Sequence, residues 1–171
     1  MTDGSLPRGA FVTDSFGVPD RLLGPHTDEF YACVGRVVTL SALLEERLLV
    51  LVRQQVRVSD VPAKLGRTQV SALIRTGLAH LDSFIDEPSR SLAAEFFARA
   101  IWAMSERNHV VHNLWPAQGQ GPLFGWRSAP GESADIVITR SQWDLNDLVL
   151  HIVHLLDDCQ SLSMRVRPLK G

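Results

Sequence analysis

Apolar positions recur at helical intervals along most of this 171-residue chain. Thr27-Asp28-Glu29 offers a capping residue and first-turn acids. From there Phe30, Val34, Val37, Ser41, Leu44, Leu48 and Leu51 follow at the three- and four-residue steps that share one helix face. The pattern predicts a first helix to about Val56. Its second half is apolar nearly all round, through Leu43, Leu44, Leu48, Leu49, Val50, Leu51 and Val52. Such a helix is expected to be covered on several sides, central in a bundle or at a subunit interface. After Ser59-Asp60-Val61-Pro62, the run from Thr68 to Phe84 carries Leu73, Leu78 and Leu81 and predicts a shorter helix weakened by Gly77.

Pro88-Ser89 opens a third helix, with Leu92, Phe96, Ala100 and Ala103 on its apolar face and Phe97, Ile101 and Met104 beside them. It runs into Glu106-Arg107-Asn108-His109-Val110-Val111-His112, and Asn113 and Pro116 supply the stop. Leu123–Arg127 and Ile136–Thr139 flank the turn-forming Pro130-Gly131 and predict a small β-hairpin within about 121–140. Asp144, with Asp147 three residues on, is expected to cap a last helix striped by Leu145, Leu148, Ile152, Leu155, Cys159 and Leu162. The fold expected is mainly α: an antiparallel bundle of about four to five helices with the hairpin before the last one. Residues 1–26 hold Gly4, Pro7, Gly9, Gly17, Pro19, Gly24 and Pro25 without a sustained period. They predict a flexible or draped arm ahead of a single domain over 27–171.

Composition narrows the function classes. A content of 45% hydrophobic and 21% charged residues is that of an ordinary globular domain with a core of its own. Cys33 and Cys159 are the only cysteines and lack the spacing of a disulfide framework or a zinc site. No basic segment followed by an apolar run opens the chain, and Glu45-Glu46-Arg47 interrupts its most apolar stretch, so a cytoplasmic protein with no membrane span is expected. A net charge of −2 gives no broad basic field, so any phosphate chemistry has to be local. A Gly-rich phosphate loop, a G-x-S-x-G elbow and an H-E-x-x-H helix are all missing. That disfavours nucleotide hydrolysis, hydride transfer and zinc proteolysis, and no cofactor is expected.

The concentrated chemistry lies at Arg107 and His112. With 15 Arg and 6 His in the chain, chance supplies about 0.5 such spacings; requiring Asn, Asp or His directly after the Arg lowers this to about 0.06. A histidine with an ordinary pKa of about 6.5 takes or returns a proton at neutral pH, and an arginine fork holds the extra charge of a phosphorane. Glu45, inside an almost wholly apolar helix, calls for a cationic partner, and arginine is the natural one.

Arg107-Asn108-His109-Val110-Val111-His112 resembles the motif of the HEPN superfamily, helical domains whose ribonuclease members carry an Arg, a polar residue, a short spacer and a His. The resemblance extends to the layout of helices over about 27–164; the hairpin departs from the minimal family bundle. It implies a metal-independent endoribonuclease, of the kind that serves as a toxin or defence effector. In such enzymes the ribose 2′-hydroxyl attacks the adjacent phosphate to leave a 2′,3′-cyclic phosphate. Arg107 would be the electrostatic clamp, His112 the base or acid, and Asn108 the motif's polar member. Glu45, or in second place Glu46, would orient Arg107 or His112. The implied partners are RNA, a second copy of the chain whose motif shares the cleft, and an antitoxin or regulatory protein.

Geometry sets a condition on this. Five helical residues rotate by about 500°, leaving Arg107 and His112 some 140° apart, whereas Asn108 and His112 share a face. The two catalytic candidates converge only if the helix ends between them or if they meet across a dimer. His109 is a candidate for contact with substrate phosphate, against a partly exposed helical His. Trp115, with Trp126 and Phe124, is a candidate for base stacking, against packing of the hairpin. His151, His154 and Asp158 have metal-like spacing but flank the core stripe, and no metal is expected. Two rival readings remain. One is a non-catalytic dimeric interaction or regulatory module that uses Arg107, Glu45 and His112 as an interface network. The other is a helix C-terminus whose cations simply complement the macrodipole.

Overall fold

The computed structural model describes residues 12–14, 16–19, 24, 26–56, 69–113, 115, 123–127 and 136–167, with the backbone alone at 124, 126, 127, 136 and 143. The helices are α1 (Asp28–Gln55), α2 (Val70–Ala79), α3 (Glu87–His112) and α4 (Gln142–Ser163), with a 3₁₀ turn at Leu81–Ser83 after α2. Between α3 and α4, β1 (Leu123–Arg127) and β2 (Ile136–Arg140) pair antiparallel with Gly125 opposite Ile138. The protein is mainly helical, a bundle of about four helices, as the periodicity predicts. The described pieces of the 1–26 segment include a Thr13–Pro19 bridge closed over Asp14, whose carboxylate accepts from the Phe16 and Val18 amides. His26 stacks on Phe30 at the start of α1.

Local signals set the helix starts. Thr27 caps α1 by accepting from the Phe30 amide at 3.1 Å. Asp86 caps α3 by accepting from the Ser89 amide at 2.8 Å, with Pro88 in the first turn, where its missing N–H is harmless. Ser141 caps α4, and Asp144 stands at the third helical position, reaching back to the Ser141 amide in a capping box. Asp144 is therefore the reciprocal acid rather than the cap, and Asp147 is exposed outside it. The second helix is shorter than the Thr68–Phe84 run suggests. His80 donates to the Gly77 carbonyl, the chain tightens into the 3₁₀ turn, and Phe84 is extended and fully buried. Thr68 itself lies outside the described residues.

Side-chain pairings fix the helix directions. Cys33 meets Gln142 and Asn146, so α1 and α4 start together and run parallel. Gln55 reaches the Gly77 and His80 carbonyls, so α1 and α2 end together. Arg107 pairs with Glu45, Arg99 with Asp158, and Phe97 covers Gly77, so α3 runs against the other three. The bundle is antiparallel through α2, α3 and α4, while α1 and α2 point the same way. Val37, Leu44, Leu48 and Leu51 of α1 are wholly buried against Phe96, Phe97, Ala100 and Ala103 of α3 and Ile152 and Leu155 of α4. The central role predicted for the first helix is observed. The hairpin docks on the end of α3, where Gly125 leaves room for the Trp115 indole and the Arg140 guanidinium pairs with Glu106. Among the described residues no helix is long and apolar enough to cross a membrane.

Gly77 earns its place by packing. A Cβ there would overlap the Phe97 ring, whereas a Cβ at exposed Gly35 of α1 would meet nothing. Gly77→Ala is expected to destabilise by about 1–3 kcal/mol through overpacking, and Gly35→Ala to stabilise by about 0.5–1 kcal/mol through helix propensity. Thermal melts of the two variants should shift in opposite directions, at about 2–4 °C per kcal/mol for a chain of this size.

Candidate functional site

Arg107 and Glu45 meet where α3 crosses the middle of α1. The Arg107 Nη2 group donates to Glu45 Oε1, and Nη1 donates to Asn108 Oδ1 at 3.0 Å. The acid in the apolar helix thus has the partner the sequence calls for, and that partner is Arg107. Glu46, one residue on, is exposed and faces away from the pair. The arginine side chain is 22% exposed and the glutamate 37%, so the pair is half-buried and partly screened by solvent. The Arg107 Nε is buried and has no hydrogen-bond partner among the described residues, so the guanidinium is not saturated by its protein contacts.

These three side chains form one wall of an open cavity of about 570 Å³. Gln69, Val70 and Ser71 from the first turn of α2 form the facing wall, and Ile101 and Ser105 of α3 extend the near one. Gln69 makes no side-chain cap, and its carbonyl accepts from the Ala72 and Leu73 amides at 2.8 and 3.3 Å. A helix N-terminus carries a partial positive charge that favours anions. Cavity polarity is thus mixed: the Arg107 cation and the α2 terminus on one side of the balance, the Glu45 carboxylate on the other. Gln69, Ser71 and Ser105 were not singled out by the sequence. Only Ser105 left a readable signal, lying at i, i+3 and i+7 with Asn108 and His112.

α3 does not end between Arg107 and His112; it continues through His112, and Asn113 closes it with its amide on the His109 carbonyl. The two candidates therefore diverge, as the helical rotation requires, and one chain does not bring them together. His112 is exposed, one turn beyond Asn108 on the same face, about 6 Å further along the axis. Arg107, Asn108 and Glu45 share the cavity; His112 is displaced from it along the exposed stripe Ile101, Ser105, Asn108.

The two substrate-binding candidates fare differently. Trp115 is buried: its Nε1 donates to the Val110 carbonyl at 2.9 Å and its ring lies against the Gly125 backbone. It packs the hairpin onto α3, with one side of its ring against Gly125. The side chains of Phe124 and Trp126 lie outside the described residues. His109 faces the hairpin side, 3.5 Å from Glu106, whose carboxylate is already held by Arg140. It does not line the Arg107 cavity. Of the spaced set on the last helix, Asp158 is engaged by Arg99, and His151 stands edge-on to Trp102 at 4.8 Å. Burial, and secondarily the Arg99 charge, hold the His151 imidazole below its ordinary pKa. Burial also raises the Cys159 thiol to about 11, which leaves it un-ionised and unreactive at neutral pH.

Comparison of the chain with protein-family models, with curated proteins and with solved structures finds no match. The site is therefore argued from its own geometry.

The Arg107–Glu45 contact joins two helices and is only half-buried. A double-mutant cycle with Arg107→Ala and Glu45→Ala should return a coupling of about 0.5–1 kcal/mol, reduced by added salt. Equal and additive single effects in urea melts would show that the pair contributes nothing to the seam.

Proposed function

We propose that this chain is an endoribonuclease of the HEPN kind, cleaving RNA without metal by transesterification. The observation that carries the reading is the placement of Arg107. Glu45 and Asn108 hold it at the wall of an open cavity faced by an uncapped helix N-terminus, with solvent-exposed His112 one turn away.

A phosphodiester entering the cavity would meet two features suited to it, the Arg107 guanidinium and the positive end of the α2 dipole. Glu45 fixes the fork in one orientation, so charge that builds on the non-bridging oxygens meets a preorganised donor. His112 removes the 2′-hydroxyl proton as the 2′-oxygen bonds to phosphorus. An acid on the opposite side protonates the departing 5′-oxygen, leaving a 2′,3′-cyclic phosphate and a 5′-hydroxyl. Because Arg107 and His112 diverge on one helix, the reading requires a homodimer in which His112 of a second copy approaches the Arg107 cavity.

A second reading rests on one specific observation: Glu45 neutralises Arg107, and the chain as a whole carries a charge of −2. On that reading the same residues form a polar network in a non-catalytic dimeric module.

Incubation of a labelled mixed-sequence RNA with the protein in EDTA distinguishes the two. The ribonuclease reading expects cyclic-phosphate ends, with His112→Ala slowing cleavage by about 10²–10⁴ and Arg107→Ala by about 10²–10³. No cleavage by the native protein, together with dimers weakened by both substitutions in analytical ultracentrifugation, would replace it with the module.

A further inference from the structure

The outer edge of the α3–α4 seam is a ladder of side-chain contacts. Arg99 of α3 pairs with Asp158 of α4. Further along, Trp102 of α3 stands edge-on to His151 of α4, with ring centroids 4.8 Å apart and planes at 73°. Beyond them Glu106 is held by Arg140 of β2. The His151 Nε2 atom is buried and meets no hydrogen-bond partner among the described residues. A neutral imidazole tolerates such a place, because one of its ring nitrogens carries only a lone pair. An imidazolium carries an N–H on both nitrogens and requires an acceptor for each. The seam is ill suited to supply one. Across it stands the Arg99 cation, whose own partners are Asp158 and the mostly exposed Glu95. Glu106 is committed to Arg140, and the neighbouring His154 on α4 is itself a potential cation. Burial and the Arg99 charge accordingly favour the neutral ring.

We propose that His151 is an acid-sensitive latch on this seam. Neutral, it packs against Trp102 and holds the ladder closed; protonated, it leaves that place for the carboxylate of Asp147, one turn earlier on its own helix. Asp147 is exposed, and with Trp102, Asp144 and Leu148 it lines an open cavity of about 340 Å³ that gives the ring room on that side. An acid four residues before a cation is the favourable order for a helical pair. In the protonated state one edge of Trp102 is uncovered, and the Arg99–Asp158 pair is left to tie α3 to α4 along this edge. Because the folded state favours the neutral ring, the stability it contributes is complete above the ordinary imidazole value of about 6.5. That stability is lost as the pH falls toward the lower folded-state value. The acids at the starts of α3 and α4 do not follow. Hydrogen bonds from Ser89 and Ser141 hold the Asp86 and Asp144 carboxyls below their ordinary range, so both helix starts survive mild acid. The loosened element is then the seam itself, on the helix that carries Arg107 and His112. The latch is independent of the chemistry proposed at Arg107.

A pH titration of the full chain by NMR, paired with thermal melts, tests the latch. The His151 imidazole is expected to titrate below about 6.5, and the Trp102 indole resonances to move with the same midpoint. The melting temperature should fall as the pH is lowered through that range. His151→Phe keeps a ring against Trp102 without a titrating nitrogen and should lose that fall. His151→Gln, smaller and also unable to titrate, should lose it too, so overpacking by one variant cannot mask the result. Asp147→Asn removes the acceptor of the protonated ring and should deepen the fall relative to its own melting temperature at neutral pH. A His151 midpoint at or above about 6.5 would overturn the latch. So would Trp102 resonances that ignore the titration, or melting temperatures that fall equally in the native chain and in both His151 variants. A fall unchanged by Asp147→Asn would do the same, because the charged ring would then have no second position on α4.

Discussion

Coverage of α1 is the constraint from which the rest of the architecture follows. A 28-residue helix is about 42 Å long, and Val37, Leu44, Leu48 and Leu51 are buried along it at every turn. α3 and α4, of 26 and 22 residues, are about 39 and 33 Å long and flank most of it. α2 has only 10 residues, spans about 15 Å, and covers just the far end, where Gln55 meets the Gly77 carbonyl. Among the described residues the seam between α1 and α3 is therefore roofed at one end and open from the first turn of α2 onward. The Arg107 cavity and an apolar pocket lined by Tyr31, Val34, Val38 and Val111 both lie in that open stretch, one against the α2 terminus and the other near the start of α1. They follow from a mismatch in helix length.

Where the roof ends, the seam becomes wet, and the residue types change accordingly. Glu45 and Arg107 occupy the level at which apolar burial gives way to solvent. A charged pair there keeps part of its hydration and escapes most of the desolvation penalty of a fully buried one. The contact also ties α1 to α3 beside their shared apolar core. A half-buried pair supports either role proposed for it. The unsatisfied Arg107 Nε does not decide between them, because the Nε atoms of Arg90 and Arg99, in ordinary salt bridges, are in the same state.

The helices were legible because each rests on one-dimensional signals: Thr27 and its acids, Pro88 in a first turn, the stripe from Leu145 to Leu162. The Glu45–Arg107 pair was legible as well, since an acid in an apolar helix has few ways of being tolerated. The rest depended on three-dimensional context. Gly77 reads as a helix weakener until Phe97 is seen above it. Asp144 reads as a cap because the competing Ser141 differs from it only in backbone geometry. Trp115 reads as a stacking platform, and its burial against Gly125 shows only in three dimensions. The cavity wall from Gln69 to Ser71 could not have been found, because it faces Arg107 only through the packing of α2 beside α1 and α3.

Net charge then decides how the proposed chemistry has to work. A chain at −2 gains nothing from counterion release over a broad surface, so affinity for a strand must come from a few directed contacts and from apolar area. The open seam supplies contacts of both kinds. An arginine fork and a helix terminus suit a phosphate at one point, and an aromatic- and valine-lined pocket offers apolar area at another. A second copy would bring its own His112 and its own seam without adding positive field. On the ribonuclease reading, selection among RNAs would then rest on these local contacts rather than on the global electrostatics.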